Sequence, residues 1–290
     1  MLKFLNYDLL IGFLSLLFFF LSLFNQNFLI FWIIYELGNL VLIPLFLTNS
    51  YNNINSFYPL MLFLILSGLG ASLLFLFLVN QSFVLLFYLF LSFKVGLFPF
   101  SLWLININIS LSWMMNYLIL GFSKLPLLVF FGNIFNFNNI VLLVCFSLLV
   151  NSLFMWQNPL NLKVLICCNF LNSGYIFLFF LNNSSFVSLL LLIIVFLFNG
   201  FLISYVCNVI SNNSNKWLNN NWLIFLFLCF FFPIPITLGL VYKFINVNIF
   251  LFANNFIFIL VWVLVSIMEI LYVYNLYLKW SENYFFNFYS

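Results

Sequence analysis

Long apolar runs alternate with short Asn- and Ser-rich stretches along the whole chain. Many runs approach or exceed the ~18–20 residues that carry a helix across a bilayer. They are continuously apolar, without the polar-in, apolar-out alternation of a membrane barrel, so helices are the element they predict. The pattern places spans near 6–24, 28–48, 57–79, 82–105, 111–133, 138–156, 163–181, 185–209, 222–244 and 250–279. Separators include Asn52-Asn53-Ile54-Asn55, Asn182-Asn183-Ser184-Ser185 and Ser211-Asn212-Asn213-Ser214-Asn215. The expected fold is all-α, a polytopic bundle of about ten membrane helices forming a single transmembrane domain over 1–290. No long linker interrupts the pattern, and Pro-broken spans fall in both halves.

Composition supports lipid as the solvent. Of the 290 residues, 67% are hydrophobic and only 4% charged, against roughly 25% charged in a soluble domain. The chain has no His and no Arg. It therefore offers no His ligand for haem or copper, no histidine triad, and no permanently charged intramembrane guanidinium. Cys145, Cys167, Cys168, Cys207 and Cys229 all fall in apolar runs without the spacings of zinc or iron–sulfur sites, which fits buried, reduced thiols. A dispersed net charge of +3 gives no nucleic-acid footprint. Lys3 and the apolar stretch after it resemble a signal peptide only superficially, since no small-residue cleavage site follows, and the start reads as the first span. Abundant Phe, Leu and Asn with no Arg resemble a product of an A/T-rich organelle genome.

Lysines orient the bundle. Lys3, Lys163, Lys216 and Lys279 flank spans, and with ten spans all four lie on one side. The opposite loops, near Asn25–Asn27, Asn80, Phe135–Asn139, Asn182–Ser185 and Asn246–Asn248, carry no charge. The positive-inside rule then puts both termini on the cytoplasm-equivalent side, the matrix in a mitochondrion.

Asp8 and Glu282 aside, five charges remain within or close to apolar spans: Glu36, Lys94, Lys124, Lys243 and Glu269. Each costs about 2.5–3.5 kcal/mol at the centre of a span. A structural ion pair or snorkelling of a long Lys is the plainer explanation, strongest for Lys243 near its span end and for Glu269. Glu36, Lys94 and Lys124 lie too deep for easy snorkelling. Pro44 follows Glu36, Pro99 follows Lys94, Pro126 follows Lys124, and Pro233 and Pro235 precede Lys243. A proline frees backbone carbonyls, which in lipid must be satisfied by protein or by water lining a cavity. Buried lysines beside such breaks suit proton relay, because lysine readily changes protonation when desolvated. Lys94 has only Phe90, Leu91 and Phe98 near it in its own span, so its counter-ion must come from another, and Glu36 is the expected partner.

These residues in their settings resemble the antiporter-like subunits of respiratory NADH dehydrogenase, complex I. Trp32-Ile-Ile-Tyr-Glu36-Leu-Gly-Asn39, continuing to Pro44, is similar to the family's glutamate-bearing span. Lys94-Val-Gly96-Leu-Phe-Pro99-Phe100-Ser-Leu-Trp103 is similar to its Lys-x-Gly-x-x-Pro-Phe-x-x-Trp motif, the most specific of the set. Ser123-Lys124-Leu-Pro126 resembles its central lysine loosely. Pro233-Ile-Pro235-Ile-Thr237-Leu-Gly239-Leu-Val-Tyr-Lys243 resembles its broken helix ending in a lysine. A fainter likeness runs from Lys163 through Asn172 to Tyr175.

The resemblance implies a proton-translocating subunit of NADH:ubiquinone oxidoreductase in the mitochondrial inner membrane. Glu36 and Lys94 would be the proton-uptake pair, Lys124 the central relay, and Lys243 the exit or communicating group. Asn172 stands where the family usually has His, so the bridge between half-channels lacks a protonatable side chain and water would fill it. Glu269 has no counterpart role in the family, and the chain is shorter than the family pattern at both ends. NADH, flavin, iron–sulfur clusters and ubiquinone would sit on other subunits, with none in this chain. Its partners would be the other membrane-arm subunits and the lipid bilayer. The alternative is a stand-alone cation/proton antiporter, although no extra acidic cluster for a second ion is present. A purely structural membrane subunit leaves the charge cost unexplained.

Overall fold

The computed structural model describes residues 2–25, 27–50, 57–79, 84–132, 141–158, 161–181, 186–212, 238–253 and 256–289. Every regular element among them is helical. Lipid offers the backbone no hydrogen bonds, so each amide must be satisfied within its own segment, and helices do this. Five stretches are long and apolar enough to cross a membrane: Phe28–Leu47, Phe57–Phe77, Tyr88–Ser110, Trp113–Phe130 and Phe256–Leu276. The chain is thus a multi-pass helical protein by length and composition. Packing groups it into two compact units, Met1–Asn139 and Ile140–Ser290.

The first unit begins with α1 (Leu2–Leu23), α2 (Phe28–Val41), α3 (Ile43–Ser50) and α4 (Phe57–Val79). On α1, Gly12, Ser15, Phe19 and Ser22 are buried while Phe13, Leu17, Phe20 and Leu21 face outward. That helical spacing puts small residues on the packed face, where backbones approach closely. Each serine hydroxyl is satisfied by its own helix: Ser15 Oγ donates to the Gly12 carbonyl and Ser22 Oγ to that of Phe19. The inner face of α2 carries Phe31, Tyr35, Gly38 and Asn39. Gly38 is required there, because a Cβ would lie 2.8 Å from the Phe19 ring. The α2 helix ends at Val41, and after Leu42 α3 resumes at Ile43, next to Pro44. Pro44 has no N–H for the Leu40 carbonyl, and the chain turns at that point.

Further on come α5 (Val84–Leu91), a wide π-helical turn (Ser92–Gly96), α6 (Ser101–Ser110), α7 (Trp113–Tyr117), a second π-helical turn (Leu118–Phe122) and α8 (Lys124–Gly132). Phe31 stacks on Phe130 at 4.1 Å between ring centroids, joining α2 to α8.

The second unit comprises α9 (Val141–Gln157), α10 (Leu162–Leu181), α11 (Phe186–Asn212), α12 (Leu238–Ala253) and α13 (Phe256–Tyr289). Its core is α10, where Val164 to Cys168, Leu171, Asn172 and Tyr175 are all buried. Tyr272 on α13 donates its hydroxyl to the Asn158 carbonyl just past α9, at 2.7 Å. Cys145, Cys167 and Cys168 are buried and form no disulfide.

One expected loop is overturned. Asn246–Asn248 lies inside α12, and Asn246 is fully buried. Three polar residues in six mimic a loop in a one-dimensional reading, but at helical spacing one of them turns inward and the helix continues. The span expected at 222–244 is described only from Leu238, and Pro233, Pro235 and Lys216 lie outside the described residues.

Candidate functional site

Lys94 sits in the middle of the wide turn that follows α5. The Leu97 amide bonds back five residues to the Ser92 carbonyl at 3.0 Å, and Gly96 adopts φ 82°. Only glycine enters that left-handed region without steric penalty, which explains a Gly three residues ahead of Pro99. Leu97 is extended, the Phe100 amide returns to the Leu97 carbonyl at 2.7 Å, and α6 starts at Ser101. Phe93 and Phe100 stack across the break at 3.8 Å between centroids. Phe98, expected beside Lys94 in one continuous span, therefore falls after the helix has ended.

From this turn the Lys94 side chain reaches α2. Its Nζ lies 2.9 Å from Glu36 Oε1, and the two side chains are 7% and 22% exposed. The ammonium also stands 5.3 Å from the centroid of the Tyr35 ring, whose face attracts a cation. Asn39 Nδ2 approaches Glu36 Oε2 at 3.4 Å, one helical turn along α2. Behind the lysine, α4 presents Gly70, where a Cβ would lie 2.8 Å from Lys94 Cε. A charge pair, a ring face and a bare stretch of backbone thus define where this ammonium rests.

Lys124 is 2% exposed, and its Nζ donates to the Val95 carbonyl at 2.7 Å. In an uninterrupted helix that carbonyl would accept from residue 99, but Pro99 has no N–H. The freed carbonyl of one broken helix is therefore taken by the lysine of the next, one residue along from Lys94. The second π-helical turn stands immediately before Lys124, where the Ser123 amide reaches back to the Leu118 carbonyl at 3.0 Å. Pro126 follows within the first turn of α8. Its ring conflicts with the carbonyl of Phe122, and a widened turn relieves that conflict.

The second unit holds another polar group of residues. Asn172 Nδ2 on α10 donates to Glu269 Oε1 on α13 at 3.0 Å. Lys243 on α12 lies within electrostatic reach of the same carboxylate. Asn151 Nδ2 on α9 lies 3.3 Å from the Tyr175 hydroxyl, on the same face of α10 as Asn172.

Of the residues singled out by sequence, the structure joins Glu36 to Lys94, links Lys124 to the turn bearing Lys94, and groups Asn172 with Glu269 and Lys243. Pro44 and Pro99 are exposed beside their breaks. Gly70 and Tyr35 escaped the sequence reading. Gly70 is one more small residue in an apolar run, and only the Gly68-x-Gly70 pairing hinted at a close approach. Among the described residues, no three Cys, Asp or Glu side chains gather as metal ligands. In comparisons with family models and with characterised proteins, nothing matches the chain.

Proposed function

We propose that the chain is a proton-translocating membrane-arm subunit of respiratory NADH:ubiquinone oxidoreductase, similar to its second subunit, a member of the antiporter-like family. The observation that carries this reading is the partly buried Glu36–Lys94 ion pair standing one residue from a carbonyl held by buried Lys124. Charged side chains within membrane helices are costly and default to function, so such a pair is a demanding way to fill a membrane core. A relay gives those charges a use. Separating Glu36 from Lys94 would let the lysine hand its proton to water beside the broken helix, and Lys124 would accept it. Lys243 would pass it on.

In this reading ten spans cross the mitochondrial inner membrane, with Pro-broken helices around the relay and both termini in the matrix. NADH, flavin, iron–sulfur clusters and ubiquinone belong to other subunits, so this chain contributes translocation and no redox centre.

The test is Glu36→Gln in vesicles carrying the intact assembly. NADH oxidation with fewer protons moved per NADH is the expected result, and unaltered pumping would overturn the reading. Purified chain that exchanges Na⁺ or K⁺ for protons by itself in liposomes would instead establish the stand-alone antiporter.

A further inference from the structure

We infer that Glu269 is a proton-carrying carboxyl of the second unit, steered by Asn172 and exchanging its proton with Lys243. The inference rests on the proton-relay reading and adds a residue to it. Glu269 is one of only two carboxylates in residues 140–290, the other being Glu282, thirteen positions further along the same helix. It sits on α13 one turn before Tyr272, on the face packed against the rest of the unit, with buried Val265 and Leu276 on the same side.

Two other elements approach this carboxylate. Asn172 from α10, 97 residues away in sequence, donates an amide hydrogen to Oε1. Lys243 is carried by α12, which packs against α13. Asn172 is 3% exposed, and its Oδ1 has no partner among the described residues. Asn246, one turn beyond Lys243, is fully buried with neither amide atom partnered among the described residues. Buried amides of this kind normally bind protein or ordered water. A carboxylate, a lysine and amides with spare hydrogen-bonding capacity are the parts that a proton hop needs.

Asn172 itself cannot carry a proton, since an amide is neither acid nor base in this range. It can orient the group that does. The step balances as a simple transfer. An N–H bond of the Lys243 ammonium breaks, an O–H bond forms on Glu269 with water carrying the proton between them, and the two charges become a neutral amine and a neutral acid. The reverse step, or release of the proton to water, returns the carboxylate with no oxidant or other co-reactant. By holding Oε1, Asn172 leaves Oε2 as the oxygen to be protonated.

The experiment compares Glu269→Gln, Glu269→Asp and Glu36→Gln in vesicles of the intact assembly, reading protons per NADH and the infrared C=O band of protonated carboxyl. Glu269→Gln is expected to lose as much pumping as Glu36→Gln and to lack one carboxyl band that appears on turnover. Glu269→Asp should keep most of the pumping. Normal pumping in Glu269→Gln with loss in Glu36→Gln would overturn this inference and leave the relay reading intact. Normal pumping in both would overturn both. Should Glu269→Gln not assemble, Asn172→Ala decides. The carboxyl band must shift when its amide donor is removed, and an unmoved band overturns the inference.

Discussion

At the scale of the residue, the placement of Lys94 depends on a glycine that carries no chemistry of its own. Gly70→Ala would put a methyl 2.8 Å from Lys94 Cε, and the lysine, being flexible, would move. We expect that variant to assemble normally while moving fewer protons per NADH. Gly68→Ala is its control. No atom lies within 4 Å of its added Cβ, so it should pump normally and gain up to about 1 kcal/mol of helix stability. Equal pumping in the two variants would show that Gly70 has no positioning role. Gly96→Ala acts through the backbone, since φ 82° costs a side chain roughly 1–2 kcal/mol. A lowered Tm together with loss of pumping is the expected outcome. The charges themselves were legible from sequence because a lysine in an apolar span violates the composition around it. Gly70 was not, because its importance lies in what passes over it.

At the scale of the element, helix interruptions decide which backbone groups are available. Pro99→Ala restores an amide that can reclaim the Val95 carbonyl from Lys124. Translocation should fall without loss of assembly, measured as protons per NADH against subunit content. In the second unit, Tyr272→Phe removes the hydroxyl that ties α13 to the Asn158 carbonyl. Loss of about 0.5–1.5 kcal/mol is expected, read as a lower Tm in detergent. Prolines marked in advance where carbonyls would be freed. They did not mark what would take them, since the acceptor Val95 and the donor Lys124 lie 29 residues apart. The difference at Asn246–Asn248 has the same origin: Lys243, Asn246 and Asn248 within six residues look like punctuation until helical geometry sends Asn246 inward.

At the scale of the whole molecule, the lysine distribution makes a topological prediction. An impermeant thiol reagent should label Asn215→Cys from the side that bears Lys163 and Lys216, and Asn183→Cys only from the other. Labelling of both from one side would break the ten-span arrangement. Sequence alone determined that lipid is the solvent, that the chain is helical, and that a few charges stand where hydrocarbon penalises them, because these follow from composition and from hydropathy summed over local windows. Glu36 was already the expected partner of Lys94, but only the tertiary structure decided the others: Lys124 with the Val95 carbonyl across 29 residues and Asn172 with Glu269 across 97. Such pairings depend on which faces of separate helices meet. Packing sets that meeting through small residues, ring contacts and broken turns, and no periodicity within one segment records it.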